Sequence, residues 1–397
     1  MVVESEPLNP KFLPAKMKLV TKAMKEQGID VWITFTREGN QDPISADIKF
    51  GELSWRSAAI IDSDGSRTAI VGSFEVETVK ARRFYDAVYG YGSEGAAPKL
   101  KEIIAKRKPK KIAVNTSFDF GAADGLSTGM GAYLRKALKD YSVRFVSSVD
   151  LAIALKTLLV PGELALLRRS VKLCERIYRA TEQEAIRPGR TDAQIYNFMV
   201  GQVREMGLQT AWAEANCPSV LIGSDPAGHM GYYGSTLKDG QFLKLDFGVR
   251  YRGYCSDIQH DYWVGSKAAP PEVRRMFDTA RAANHAALSK LRPGVTGYVV
   301  DDAARKAVTS KGYTEFMHAT GHPLGRSTHE LGPLLGPRWP WRYGNSSDLK
   351  VQKDMVFTIE PTVVGKQGTC NLEQDVLVTA SGYAEISKPE EELIVLG

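Results

Sequence analysis

Five residues in the second half of this 397-residue chain are of the kinds that ligate divalent metal: Asp246, Asp257, His322, Glu360 and Glu373. Asp246 interrupts the apolar run Phe242-Leu243-Lys244-Leu245-Asp246-Phe247-Gly248, and Asp257 follows eleven residues later in Gly253-Tyr254-Cys255-Ser256-Asp257. Glu360 closes Val356-Phe357-Thr358-Ile359, and Glu373 precedes Val376-Leu377-Val378. A carboxylate set in strand-like apolar sequence loses hydration that something must replace. Two divalent cations do so. Four carboxylates and one imidazole suit hard, oxygen-preferring ions in a hydrolytic two-metal site.

Histidine is scarce, with six in all, yet His318, His322 and His329 fall within twelve residues around Gly321 and Gly325. That clustering points to chemistry rather than packing. His285 sits inside a predicted helix and reads as structural.

The elements that must position these residues fall into two groups. Residues 11–28 carry apolar side chains at helical spacing. Strand-like runs follow at 31–35, 58–61, 68–71, 112–114 and 143–146, with helical segments at 76–84, 97–106 and 129–140 between them. The alternation predicts a compact α/β domain. It contains no catalytic constellation, and Gly121-Ala122-Ala123-Asp124-Gly125 fits no phosphate-binding spacing. Val160-Pro161-Gly162 marks a break before a long amphipathic helix at 162–185. The domains are therefore expected at 1–158 and 159–397.

The second domain echoes itself. Arg187-Pro188-Gly189-Arg190-Thr191 and Arg292-Pro293-Gly294-Val295-Thr296 each follow one helix and precede another. Thr191 and Thr296 are the expected N-caps. Each half later supplies a strand bearing a carboxylate, a turn, and a second strand bearing another. Two half-domains about a pseudo-twofold axis would bring both hairpins to one centre.

Bulk properties exclude several classes. Composition is that of a globular protein, with 43% hydrophobic, 25% charged and 9% aromatic residues and a formal charge of +6. The basic cluster Lys106–Lys111 has no interleaved aromatics, so no nucleic-acid partner is expected. No apolar stretch of about 18 residues exists, so no membrane span is expected. The N-terminus lacks the pattern of a secretory signal. Four cysteines without CxxC spacing read as reduced thiols, and a cytoplasmic location is expected.

On these residues the second domain resembles the creatinase, prolidase, aminopeptidase P and methionine aminopeptidase superfamily, the M24 metallopeptidases. Five ligand types occur in the family's order and at similar spacings over about 160–397. The resemblance implies an α+β protein: a pseudo-twofold pita-bread catalytic domain preceded by a smaller creatinase-like α/β domain. It implies that Asp246 chelates one metal, that Asp257 and Glu373 bridge both, and that His322 and Glu360 complete the second metal's shell. It further implies a metal-bridging hydroxide as nucleophile, with Glu360 as general base. His229 matches a substrate-side histidine, His329 the residue contacting the scissile amide, and His318 an outer proton carrier. A homodimer is implied as well.

The chain departs from the family pattern at Pro323 after His322, at Gln259-His260-Asp261 after Asp257, and at Asn371 before Glu373. Prolidases carry an arginine at the last of these positions, where it helps to hold the dipeptide carboxylate. Arg326, Arg338 and Arg342 are candidate replacements, with Arg326 and Arg342 the expected substrate-binding pair. Trp339, Pro340 and Trp341 form either an aromatic wall for a proline ring or a packed surface loop. The resulting expectation is an Xaa-Pro dipeptidase or aminopeptidase P-like enzyme acting on short proline-containing peptides. Two divalent ions would serve it, manganese first, then cobalt, zinc or iron. The alternatives are a same-fold hydrolase or lyase of a small non-peptide substrate, and a non-catalytic binding protein.

Overall fold

A computed structural model describes residues 7–223, 230–266 and 268–397, and the chain divides into two compact units, residues 7–158 and 159–397. Among the described residues no helix is long and apolar enough to cross a membrane.

The first unit is built on a mixed six-stranded sheet. Its order is Ala87–Tyr91, Arg67–Gly72, Ser57–Asp62, Val31–Thr36, Lys111–Val114, Arg144–Ser147. Val31–Thr36 lies antiparallel to Ser57–Asp62 and parallel to Lys111–Val114. Val31, Ile33, Phe35, Ile60 and Ile112 pack on Leu100, Ile104, Met130 and Leu134 from the helices Ala97–Arg107 and Thr128–Ala137. Two elements escape the periodicity reading. Ala87–Tyr91 is an edge strand whose only buried residue is Tyr91, so it lacks the apolar alternation of an inner strand. Val149–Lys156 is a helix buried over most of its length, so it shows no polar face.

Asp42 in this unit is buried and accepts hydrogen bonds from the Ile44 amide at 2.9 Å and from Asn115 Nδ2 at 2.8 Å. Burial pushes its carboxyl up to about 6, against the pull of those two bonds. The folded value exceeds the unfolded one of about 3.9, so the folded protein holds the proton longer. This contribution to stability is complete below about pH 4 and is lost as pH rises through about 6, a change on the order of 3 kcal/mol. An Asp42→Asn variant will show a flatter pH dependence of unfolding free energy across that window. Equal slopes for variant and native protein in denaturant titrations would refute this.

The second unit carries two four-stranded sheets. One has the order Ile394–Leu396, Ile258–Val264, Gln241–Phe247, Ser219–Ile222; the other has Pro323–Leu324, Val356–Ile359, Gln374–Val378, Tyr383–Glu385. The internal echo is present in the backbone. Gly189 and Gly294 both adopt φ of +89°, a left-handed conformation that glycine reaches without steric cost. Thr191 bridges Thr236 and Thr296 bridges Lys350 in matching isolated contacts. The caps differ, however. Thr191 Oγ1 accepts from the Gln194 amide and Gln194 reciprocates, a capping box, whereas Thr296 holds the N-cap position without a side-chain bond.

Candidate metal centre

Asp246 lies near the end of strand Gln241–Phe247, opposite Gln259 and Ser219 on the flanking strands. Asp257 falls in the break between Tyr254–Cys255 and Ile258–Val264. Glu360 is one residue past Val356–Ile359, and Glu373 lies between Gly368–Asn371 and Gln374–Val378. The expectation of carboxylates carried on two plain hairpins is thus corrected, since only Asp246 is inside a strand. A regular ladder spaces same-face side chains two residues apart along each strand. Breaks at the strand ends release that constraint and let acidic groups from four segments turn toward one point.

Two buried polar side chains pin these ends from behind. Tyr178, on helix Pro161–Glu184, donates its hydroxyl to Leu245 O at 3.1 Å and Ile258 O at 2.7 Å, the neighbours of Asp246 and Asp257. Asn284, on helix Pro271–Lys290, donates to Ile359 O at 3.0 Å and Leu372 O at 3.2 Å, the residues preceding Glu360 and Glu373. Gln374 Nε2 closes the set on Asn284 Oδ1 at 2.6 Å. Each half of the pseudo-symmetric unit thus uses one helix residue to clamp both of its carboxylate-bearing segments.

The ligand-type atoms of Asp257, His322 and Glu373 all lie within 4.8 Å of one another, and the three residues are buried. His322 Nε2 stands 3.5 Å from Asp257 Oδ2 and 3.3 Å from Glu360 Oε1. Thr358 Oγ1 receives the His322 amide at 3.1 Å and donates to Glu360 Oε1 at 3.3 Å, while Gln259 Nε2 donates to Glu360 Oε2 at 3.4 Å. A Cβ at Gly321 would stand 2.0 Å from Thr358 O, so this close approach admits only glycine before His322.

Burial, then the charges of Asp246 and Glu360, raise the Asp257 carboxyl well above its usual range. Burial and the charges of Asp257, Glu360 and Asp246 do the same to Glu373. Burial also lifts Glu360, but the hydrogen bond and charge of His322, with His318 and His329 beyond, outweigh it and bring Glu360 down to about 2. Asp375, which sequence reasoning passed over, is fully buried behind the cluster and accepts the Asp257 amide at 3.4 Å. Burial holds its carboxyl well above the ordinary range.

Asp246, Asp257, His322, Glu360 and Glu373 line a single cavity of about 500 Å³, together with His329, Gln259, Trp212, Asn216, Thr328 and Arg250. The His329 ring lies 4.2 Å from that of His322. His318, Arg326 and Arg342 are not among the lining residues. His318 contacts Ala319 O at 2.7 Å and Thr362 Oγ1 at 2.6 Å. Burial lowers its pKa and keeps it neutral. Arg342 donates to Met317 O at 2.6 Å, and Arg338 pairs with Asp348 at 2.7 Å. Trp339 stacks on Trp341 at 5.9 Å, and Trp341 is 76% exposed at the surface. His229 lies outside the described residues. Arg250 was missed because a single arginine in Val249-Arg250-Tyr251 carries no motif. Its one sequence signal is its position between Asp246 and Asp257.

The donor set fits hard divalent cations. Four carboxylates and an imidazole line one cavity, and Glu373 Oε2 is buried with no hydrogen-bond partner among the described residues. A buried carboxylate oxygen left without a donor is costly unless a cation or proton meets it.

A sequence profile described as metallopeptidase family M24 matches residues 165–380. An uncharacterised peptidase of Staphylococcus saprophyticus is 27% identical over 384 residues, covering 94% of this chain and 99% of that relative. Among solved structures, dipeptidase PepE from Mycobacterium ulcerans superposes with a TM-score of 0.73 at 21% identity, covering 98% of this chain and 100% of that one. An Xaa-Pro dipeptidase from Bacillus anthracis superposes at 0.70 with 23% identity, covering 97% and 100%. These structural likenesses establish the fold: an α/β unit followed by a pita-bread unit.

Proposed function

This chain belongs to metallopeptidase family M24, and on that premise we propose that it hydrolyses the Xaa-Pro bond of dipeptides or short peptides with two divalent cations. The observation that carries the reading is the convergence of Asp246, Asp257, His322, Glu360 and Glu373 on one cavity. Asp246, Asp257 and Glu373 would hold one cation, and Asp257, Glu373, His322 and Glu360 the other, with Asp257 and Glu373 shared. Manganese suits a set in which four of five ligands are carboxylates. Bound there, the cations supply Lewis acidity and make water acidic near neutral pH.

The chain's own groups do the rest. Glu360, oriented by Thr358 and Gln259, accepts the proton of the attacking water. His329 donates to the carbonyl oxygen as it gains charge. His318, outside the cavity lining and with both ring nitrogens bonded, positions the Ala319 carbonyl and the Thr362 hydroxyl. A relative that acts on Xaa-Pro dipeptides shares the fold and supports the substrate class. Four free, buried cysteines agree with a reducing, cytoplasmic setting.

The test is hydrolysis of Xaa-Pro, Xaa-Pro-Xaa and Xaa-Ala peptides by metal-stripped protein, with and without manganese. Manganese-dependent release of the residue before proline is the expected result. Binding of manganese without cleavage of any proline peptide would overturn the substrate assignment and favour a small non-peptide amide. Failure to bind any divalent ion would remove the enzymatic reading altogether.

A further inference from the structure

We propose that Arg250 receives the free C-terminal carboxylate of a dipeptide substrate, which makes this chain a dipeptidase rather than an aminopeptidase of longer peptides; the inference rests on the peptidase reading above. Arg250 lies on the short strand Val249–Tyr251, directly after the strand that bears Asp246, and pairs in register with Cys255, two residues before Asp257. It is 4% exposed and lines the same cavity as the five ligand-type residues.

Its surroundings satisfy part of its hydrogen-bonding capacity and none of its charge. Nη1 donates to Arg326 O at 2.6 Å and Nη2 to Ala211 O at 2.9 Å. Both acceptors are neutral carbonyls, and Nε is buried with no hydrogen-bond partner. No carboxylate lies within ion-pair distance of Arg250 among the described residues. An arginine is charged at every working pH, and a buried cation without an anion is unfavourable. The two carbonyl bonds fix the plane of the guanidinium, and each terminal nitrogen carries a second N–H beyond them. A planar, fixed donor set is what a carboxylate matches best.

The charge balance of the cavity points the same way. Asp246, Asp257, Glu360 and Glu373 contribute four negative charges when ionised, and two divalent cations contribute four positive ones. Those charges match one another and leave Arg250, bonded only to two neutral carbonyls, without a counter-ion of its own among the described residues. A dipeptide brings one carboxylate to that end of the site. A longer peptide brings a neutral amide at the same position and leaves Arg250 uncompensated.

The experiment compares Ala-Pro with Ala-Pro-amide as substrates of the manganese-loaded native protein and of its R250K and R250Q variants. In parallel, calorimetry measures binding of the two corresponding analogues in which the scissile amide is reduced to CH2–NH. The native protein is expected to favour the free acid by about 100-fold in kcat/KM, expressed mainly in KM. That ratio collapses toward one in R250Q and is partly restored in R250K, and the analogues follow the same order in affinity. A native protein that cleaves acid and amide equally well would overturn the inference while leaving the peptidase reading standing. Equal losses on both substrates in R250Q would also overturn it, making Arg250 a clamp between Ala211 and Arg326 only. Cleavage of neither substrate by the native protein would instead refute the peptidase reading on which the inference depends.

Discussion

Replacing Asp257 by Asn will lower manganese-dependent peptide hydrolysis by at least about a thousand-fold while leaving the metal-free protein as stable as the native chain or more so. The two halves of this result have opposite signs for one reason. Asp257 sits at the centre of the buried acidic cluster, with Asp246, Glu360 and Asp375 raising its carboxyl beyond the effect of burial. In the metal-free state its charge is unfavourable, so a neutral amide of the same shape relieves repulsion. In the loaded state the same charge is needed to hold cations, and an amide oxygen is a far weaker ligand. The check is a pair of thermal unfolding curves for each protein, one with chelator and one with manganese, beside the hydrolysis rate. A variant that keeps a native-sized manganese-induced rise in Tm would refute the assignment of Asp257 as a ligand. A drop in metal-free stability would refute the electrostatic account.

Stripping divalent metal from the native protein will abolish hydrolysis and lower Tm, and the stabilisation regained on adding manganese will grow from pH 5 to pH 8. Asp257 and Glu373 both have folded-state values well above the unfolded ones of about 4. The metal-free folded protein therefore holds protons that the unfolded chain releases. Its stability from these groups is complete below about pH 4 and falls as pH rises through the raised values. Cations must displace those protons, so they bind better as pH rises. At a thousand-fold excess over the dissociation constant, one site adds about 4 kcal/mol. Unfolding of chelated and reloaded protein across this pH range gives the answer. A metal increment that does not change with pH would contradict the coupling.

How much of this was legible beforehand depends on the range of the interactions involved. The donor types were readable because a carboxylate in an apolar run is conspicuous wherever it occurs, as with Asp246 among Phe242, Leu243, Leu245 and Phe247. The repeated Arg-Pro-Gly-x-Thr turns were readable because helix ends and caps are set by a few consecutive residues. The first unit's inner strands were readable for the same local reason, while its exposed edge strand and buried helix Val149–Lys156 lacked the contrast that periodicity needs. Tyr178, Asn284 and Asp375 were not readable. Each acts on segments about 67 to 118 residues away, and nothing in their immediate sequence distinguishes them from packing residues.

By itself, then, the chain's sequence determined which residues could bind metal, where the helices after the repeated Arg-Pro-Gly-x-Thr turns begin, and that its second half repeats a plan. These follow from side-chain chemistry and from backbone preferences spanning a few residues. Only the tertiary structure decided that the strands break at Asp257, Glu360 and Glu373, so that the five groups line one cavity. It also decided that Arg250, rather than Arg326 or Arg342, faces them there. Those outcomes depend on which distant segments are brought together and shielded from water. Burial and the neighbouring charges that come with it turn an ordinary aspartate or arginine into a functional one.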